Sequence, residues 1–142
     1  MALNPADVKK LLQDHDLGLL FIRIALGGSM MAYGIPKFMG GMDALAQVGQ
    51  AMQYVGIHGA FHVWGLLAAL IEVVGGLMIL LGFLFRPAAF ALILVMLIAT
   101  LFQGHTHQAK DFVANALHPL SYMGVFMGLL FSGPGKWSLQ KN

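Results

Sequence analysis

From His62 to about Gln103 the chain is almost continuously apolar, broken only at Leu84-Phe85-Arg86. A membrane-spanning helix takes about 20 predominantly apolar residues. Two such stretches joined by three residues are expected to form a tight helical hairpin. In water the pair would need a polar shell, and the rest of the chain does not supply one. Charged residues make up 10% of the 142, against about 25% in soluble domains. A soluble enzyme or a nucleic-acid module is therefore excluded as the default. A disordered chain is excluded too, because disorder needs low hydrophobicity and high charge.

Two further apolar stretches flank the hairpin. The expected spans are about 17–38, 62–83, 87–104 and 112–132. The last is interrupted by Asn115, His118 and Pro119, so it is expected to bend at Pro119 or begin there. The fold expected is all-α: one polytopic membrane domain over 1–142, built as a four-helix transmembrane bundle. Tyr33-Gly34-Ile35-Pro36-Lys37 is expected to end the first helix with a kink and place Lys37 at the outer interface. Residues 39–61 form the one long connection, and residues 42–47 within it suit a short interfacial helix. Gly133-Pro134-Gly135 stops the last helix, and Trp137 stands where an interfacial aromatic belongs.

The start does not resemble a cleaved signal peptide. Asn4, Pro5 and Asp7 instead suit a helix N-terminus. Residues 4–15 then read as a short helix on the membrane surface, or as a polar tail. Orientation follows the Lys and Arg of the short loops. Lys9, Lys10, Arg86, Lys136 and Lys141 share one side, against Lys37 and Lys110 on the other, which puts both termini in the cytoplasm. These basic residues are scattered, so the chain carries no nucleic-acid footprint.

Two ionisable residues fall inside the expected spans. Arg23 is in the first helix and Glu72 is near the middle of the second. A charge in hydrocarbon costs ~3 kcal/mol on insertion scales, so such groups usually face the bundle interior. We expect an Arg23–Glu72 pair, either locking two helices in register or lining a polar pocket in which Glu72 carries a proton. Arg23 snorkelling to the headgroups beside a protonated Glu72 is the other alternative. Gly27 and Gly34, and Gly75 and Gly76, suit close helix packing at the same depth.

The chain has no cysteine, which removes thiolate ligands, disulfides and any CxxC redox step. Of its six histidines, His58, His62, His105, His107 and His118 fall near the outer ends of the helices. His58 and His62 share a face if the second helix starts early. Converging imidazoles would suit copper, zinc or haem, while the alternative is polar caps facing water. The methionines read chiefly as apolar filler. No nucleotide-binding loop or metalloprotease motif is present.

Phe21-Ile22-Arg23-Ile24-Ala25-Leu26-Gly27, followed by Tyr33-Gly34-Ile35-Pro36-Lys37-Phe38, resembles the first helix of DoxX-family membrane proteins. Glu72-Val73-Val74-Gly75-Gly76-Leu77, then Leu81-Gly82-Phe83 and Arg86, resembles their second helix and turn, and a third helix ending near His105 fits as well. The resemblance covers most of residues 17–130. It implies a four-helix protein of the bacterial inner membrane, linked in some members to a thiosulfate:quinone oxidoreductase and to membrane redox complexes. It points to Arg23, Lys37, Glu72 and His105 as the family-type polar positions. The expected function is a membrane subunit of an oxidoreductase that meets the quinone pool. Arg23 or Lys37 would donate hydrogen bonds to a quinone, and Glu72 or His105 would relay its proton. Electrons would come from a soluble partner, or from haem or copper on the histidines. The rival classes are a non-catalytic anchor for redox partners and a small-molecule carrier, the latter as a homo-oligomer.

Overall fold

The computed structural model describes residues 14–106 and 109–140; at 106 and 109–114 it describes the backbone alone. The surface helix expected at residues 4–15 lies outside the described residues, apart from its last two positions. The described chain runs through α1 (His15–Met39), α2 (Gly41–Gly49), a 3-10 turn (Gln50–Val55), α3 (Phe61–Leu81), α4 (Phe85–Thr106) and α5 (Ala109–Ser132). Among the described residues all regular structure is helical, and α1, α3 and α4 are each long and apolar enough to cross a membrane.

Asp14 starts α1, its side chain accepting from the N–H groups of Asp16 and Leu17 at 3.0 and 3.3 Å. That satisfies two of the donors a helix N-terminus leaves free. Pro36 does not end the helix, which continues to Met39. The chain turns at Gly41, whose φ of +70° favours glycine.

α1 and α3 pack antiparallel through small residues. A Cβ on Gly27 would lie 2.6 Å from the Gly76 carbonyl oxygen, and one on Gly76 would lie 2.8 Å from that of Gly27. Between helices in lipid, apolar burial supplies little drive, so close backbone approach of this kind does the work. Behind this contact lies a core of Met30, Ile79, Phe85, Leu92 and Phe126, shared by α1, α3, α4 and α5. Large apolar side chains such as Phe21, Leu67, Phe90 and Leu97 point outward, as lipid-facing residues do.

α2 folds back on the start of α3. Gly65 faces the backbone carbonyl of Leu45, and Gly49 faces that of Phe61, so closely that a Cβ at either position would overlap it. α2 and the 3-10 turn therefore form a wall of the helix bundle. α5 starts at Ala109 and passes through Pro119, so the helix does not begin at that proline, one of the two arrangements expected from the sequence.

After α5 the segment 133–140 returns to the α3–α4 turn. Leu139 and Gln140 donate their N–H groups to the carbonyls of Leu81 and Gly82, at 3.1 and 3.0 Å. Lys136 pairs with Asp16 at 3.0 Å. The hydrogen bond it donates to Asp16 raises Lys136 above the ordinary lysine range.

Candidate functional site

Arg23 and Glu72 are both buried, at 1% and 3% exposure. They do not pair with each other, which corrects the pairing expected from the sequence. The Arg23 guanidinium donates to four backbone carbonyls instead: Ile79 at 3.0 Å, Leu80 at 2.8 Å, Pro134 at 2.9 Å and Trp137 at 2.7 Å.

These bonds complete the C-terminus of α3. The N–H of Gly82 bonds to the Ile79 carbonyl and that of Phe83 to the Met78 carbonyl, the Schellman arrangement. Arg23 takes Leu80 and shares Ile79, and Leu139 takes Leu81. All four carbonyls that a helix end leaves free are thereby satisfied, with a cation at the negative end of the dipole. Gly82 has φ +67°, and a Cβ there would lie 2.5 Å from Arg23 Nη2. The five donors of a guanidinium, fixed in a plane, suit this role.

The partner of Glu72 is Lys37, whose ammonium contacts both carboxylate oxygens at 2.5 Å. The physical reason is register. A Cβ on Gly34 would lie 3.0 Å from Glu72 Cβ, whereas Arg23 lies beside Gly82. From Glu72 to Gly82 is roughly 15 Å along the helix, too far for one side chain to bridge. Lys37 stands one turn beyond Gly34 on α1. It leaves the interface position expected of it and turns inward, with 25% of its side chain exposed.

The pair closes one end of a cavity of about 220 Å³. Val48, Ala51 and Met52 line it from α2 and the 3-10 turn, Trp64 and Ala68 from α3, and Val95, Ala99, Phe102 and Gln103 from α4. Two helical phases build its walls. Trp64, Ala68 and Glu72 share one stripe of α3, and Val95, Ala99 and Phe102 share one stripe of α4. These phases are readable in the sequence once Glu72 is taken as the anchor, but Trp64, Phe102 and Met52 draw no attention as isolated apolar residues.

The outer-side histidines divide into separate settings. His105 sits near the cavity-lining Phe102 and Gln103. Its Nδ1 lies 2.8 Å from the Leu101 carbonyl, and its ring stacks on Tyr54 with centroids 4.8 Å apart. Facing a carbonyl, Nδ1 acts as donor, which leaves Nε2 of the neutral ring as acceptor. His118 Nε2 lies 2.9 Å from the Tyr33 hydroxyl, and its ring packs against Tyr122 at a tilt of 57°.

His58 precedes α3 and His62 lies in its first turn, so they do not share a helical face. Gly59 and Ala60, both at positive φ, interrupt the chain between them. His107 lies outside the described residues. Among the described residues no three His, Cys, Asp or Glu side chains gather to hold a metal ion.

Three membrane-length helices, packed through glycine around a buried ion pair at the end of an apolar cavity, define a multi-pass membrane protein. The chain belongs to the DoxX family, whose sequence profile matches residues 18–105. The matched segment holds Arg23, Lys37, Glu72 and His105, and α5 lies beyond it. Comparison with curated proteins and with solved structures gave no match.

Proposed function

We propose that the protein is a quinone-binding membrane subunit of an oxidoreductase in the bacterial inner membrane. The observation that carries this reading is the Lys37–Glu72 pair at the end of an apolar cavity. An ion pair inside a bundle is costly to desolvate, and residues of this kind at membrane depth mark functional sites by default. A ~150 Å³ apolar cavity is enough to hold a benzene ring, so 220 Å³ holds one substituted ring. It falls below the ~300–1,000 Å³ of sites that enclose a drug-sized ligand. A longer molecule would therefore place its ring inside and its tail in the lipid.

In this arrangement Lys37 donates to an oxygen of the ring, and Glu72 takes up or releases the proton that accompanies electron transfer. His105, with Nε2 available, relays protons near the α4 end of the cavity. Arg23 holds the C-terminal segment against α3 and takes no part in the chemistry. With no cysteine in the chain, the electrons come from a partner protein.

α5 acts as the fourth span, since 24 residues cover about 36 Å and bring the chain back to the Arg23 end. Both termini are cytoplasmic. With Lys37 withdrawn into the bundle, Lys110 alone opposes the five basic residues of the cytoplasmic side.

Native mass spectrometry of the protein extracted in mild detergent supplemented with quinone tests the proposal. A bound mass equal to one quinone is expected, and Ala99→Phe, which fills the cavity, should abolish it. Protein that stays bare under these conditions, or an Ala99→Phe variant that binds equally, would overturn it.

A further inference from the structure

We infer that the cavity selects an uncharged ring bearing a hydroxyl, such as a phenol or a hydroquinone, over the same ring bearing only a carbonyl or ether oxygen, or a carboxylate. This rests on the reading of the cavity as a ligand site and specifies what that site recognises.

The ion pair sets the rule. Lys37 and Glu72 balance each other, so the site is electrically neutral before anything enters. A carboxylate would meet Glu72 and an ammonium would meet Lys37, and either would add an uncompensated charge to an apolar enclosure. Trp64, Val95, Ala99 and Phe102 favour an apolar ring.

The remaining polar capacity decides which ring. An ammonium has three donors. Among the described residues both bonds of Lys37 go to Glu72, which leaves one N–H to offer. The Glu72 carboxylate offers about four lone-pair sites and receives those same two bonds. The pair can thus give one hydrogen bond and accept others. A hydroxyl matches this, because it accepts from Lys37 and donates to Glu72. A carbonyl or an ether accepts from Lys37 and offers Glu72 nothing. A ring that cycles between hydroquinone and quinone, two electrons and two protons apart, is therefore held more tightly when reduced.

Trp64 lines the cavity, and Trp137, the second of two tryptophans, is 64% exposed at the opposite end of the bundle. Trp137→Phe leaves Trp64 as the sole indole reporter. In this background its fluorescence is titrated with 4-methylphenol, 4-methylanisole and 4-methylbenzoate at pH 7, with Ala99→Phe as the control for partition into detergent.

Saturable quenching by 4-methylphenol is expected at a Kd roughly ten- to a hundredfold below that of 4-methylanisole, the range set by one hydrogen bond to a charged group. No saturation by 4-methylbenzoate is expected. Glu72→Gln should shrink the preference for the phenol. Equal Kd values for phenol and anisole, both sensitive to Ala99→Phe, would overturn the hydroxyl rule and leave the cavity standing. Quenching by no probe would overturn the cavity as a ring-binding site, and the hydroxyl rule with it.

Discussion

Lys37 near the end of α1 meets Glu72 in the middle of α3, 35 positions away in sequence. The two are brought level because α1 ends well below the start of α3, and α2 covers the difference. Lys37 thus lies level with the middle of α3, though it sits two residues from the end of its helix. The pair fixes the α1–α3 register and gives the cavity its polar end.

The two partners respond differently to removal. Lys37→Met leaves Glu72 buried with no cation, which should cost about 3–5 kcal/mol. Glu72→Gln should cost less, because Lys37 is a quarter exposed and can turn toward water. The double variant Lys37→Met/Glu72→Leu should recover most of the loss, since an apolar pair often replaces a buried ion pair without penalty. Thermal unfolding in detergent measures all three. A double variant as unstable as Lys37→Met would show that the pair is not an isolated unit.

Arg23 anchors the C-terminal segment. Arg23→Lys supplies three donors where four carbonyls are served, and lacks the planar fork. We expect residues 133–140 to become accessible to limited proteolysis while α1, α3 and α4 stay protected. Arg23→Met should destabilise the whole fold, because the carbonyls of Leu80, Pro134 and Trp137 lose the guanidinium that serves them. An unchanged cleavage pattern in Arg23→Lys would contradict the clamp.

Gly82 and Gly56 form a matched pair. Both have positive φ, +67° and +82°, and a Cβ at Gly56 meets nothing within 4 Å. Substituting alanine for either carries the conformational cost of about 1–2 kcal/mol. Gly82→Ala additionally displaces the guanidinium, so its loss of stability should be clearly larger than that of Gly56→Ala. Equal losses would show that Arg23 can yield its place freely.

Gly65 permits α2 to lie on α3. Gly65→Leu should push α2 away, open the wall formed by Val48, Ala51 and Met52, and weaken ring binding at Trp64. The three membrane-length helices should persist by circular dichroism. Ring binding at wild-type strength would show that α2 does not form the cavity.

Several of these features are legible in the sequence, and others are not. The hydropathy of α1, α3 and α4 and the lone ionisable residues within them announce three crossings and two buried groups. The glycines at 27 and 76 announce close packing. What hydropathy does not carry is register. The height of Arg23 relative to Glu72 depends on where α1 ends and on how α2 folds back, and these follow from the positive-φ turn at Gly41 and from Gly49 and Gly65 contacting distant backbone. The four carbonyls that Arg23 serves are sequence-independent groups, so no motif marks them. Lys37 reads as an interface lysine until Gly34 is placed against Glu72.

Photolabelling with an azidoquinone, mapped by peptide mass spectrometry on the protein in bilayers, tests the central claim most directly. Labels are predicted within 48–52, 64–68 and 95–103, and Ala99→Phe should suppress them. Labels confined to lipid-facing positions such as Leu66, Leu70 and Leu77, unaffected by Ala99→Phe, would contradict a quinone site at Lys37 and Glu72.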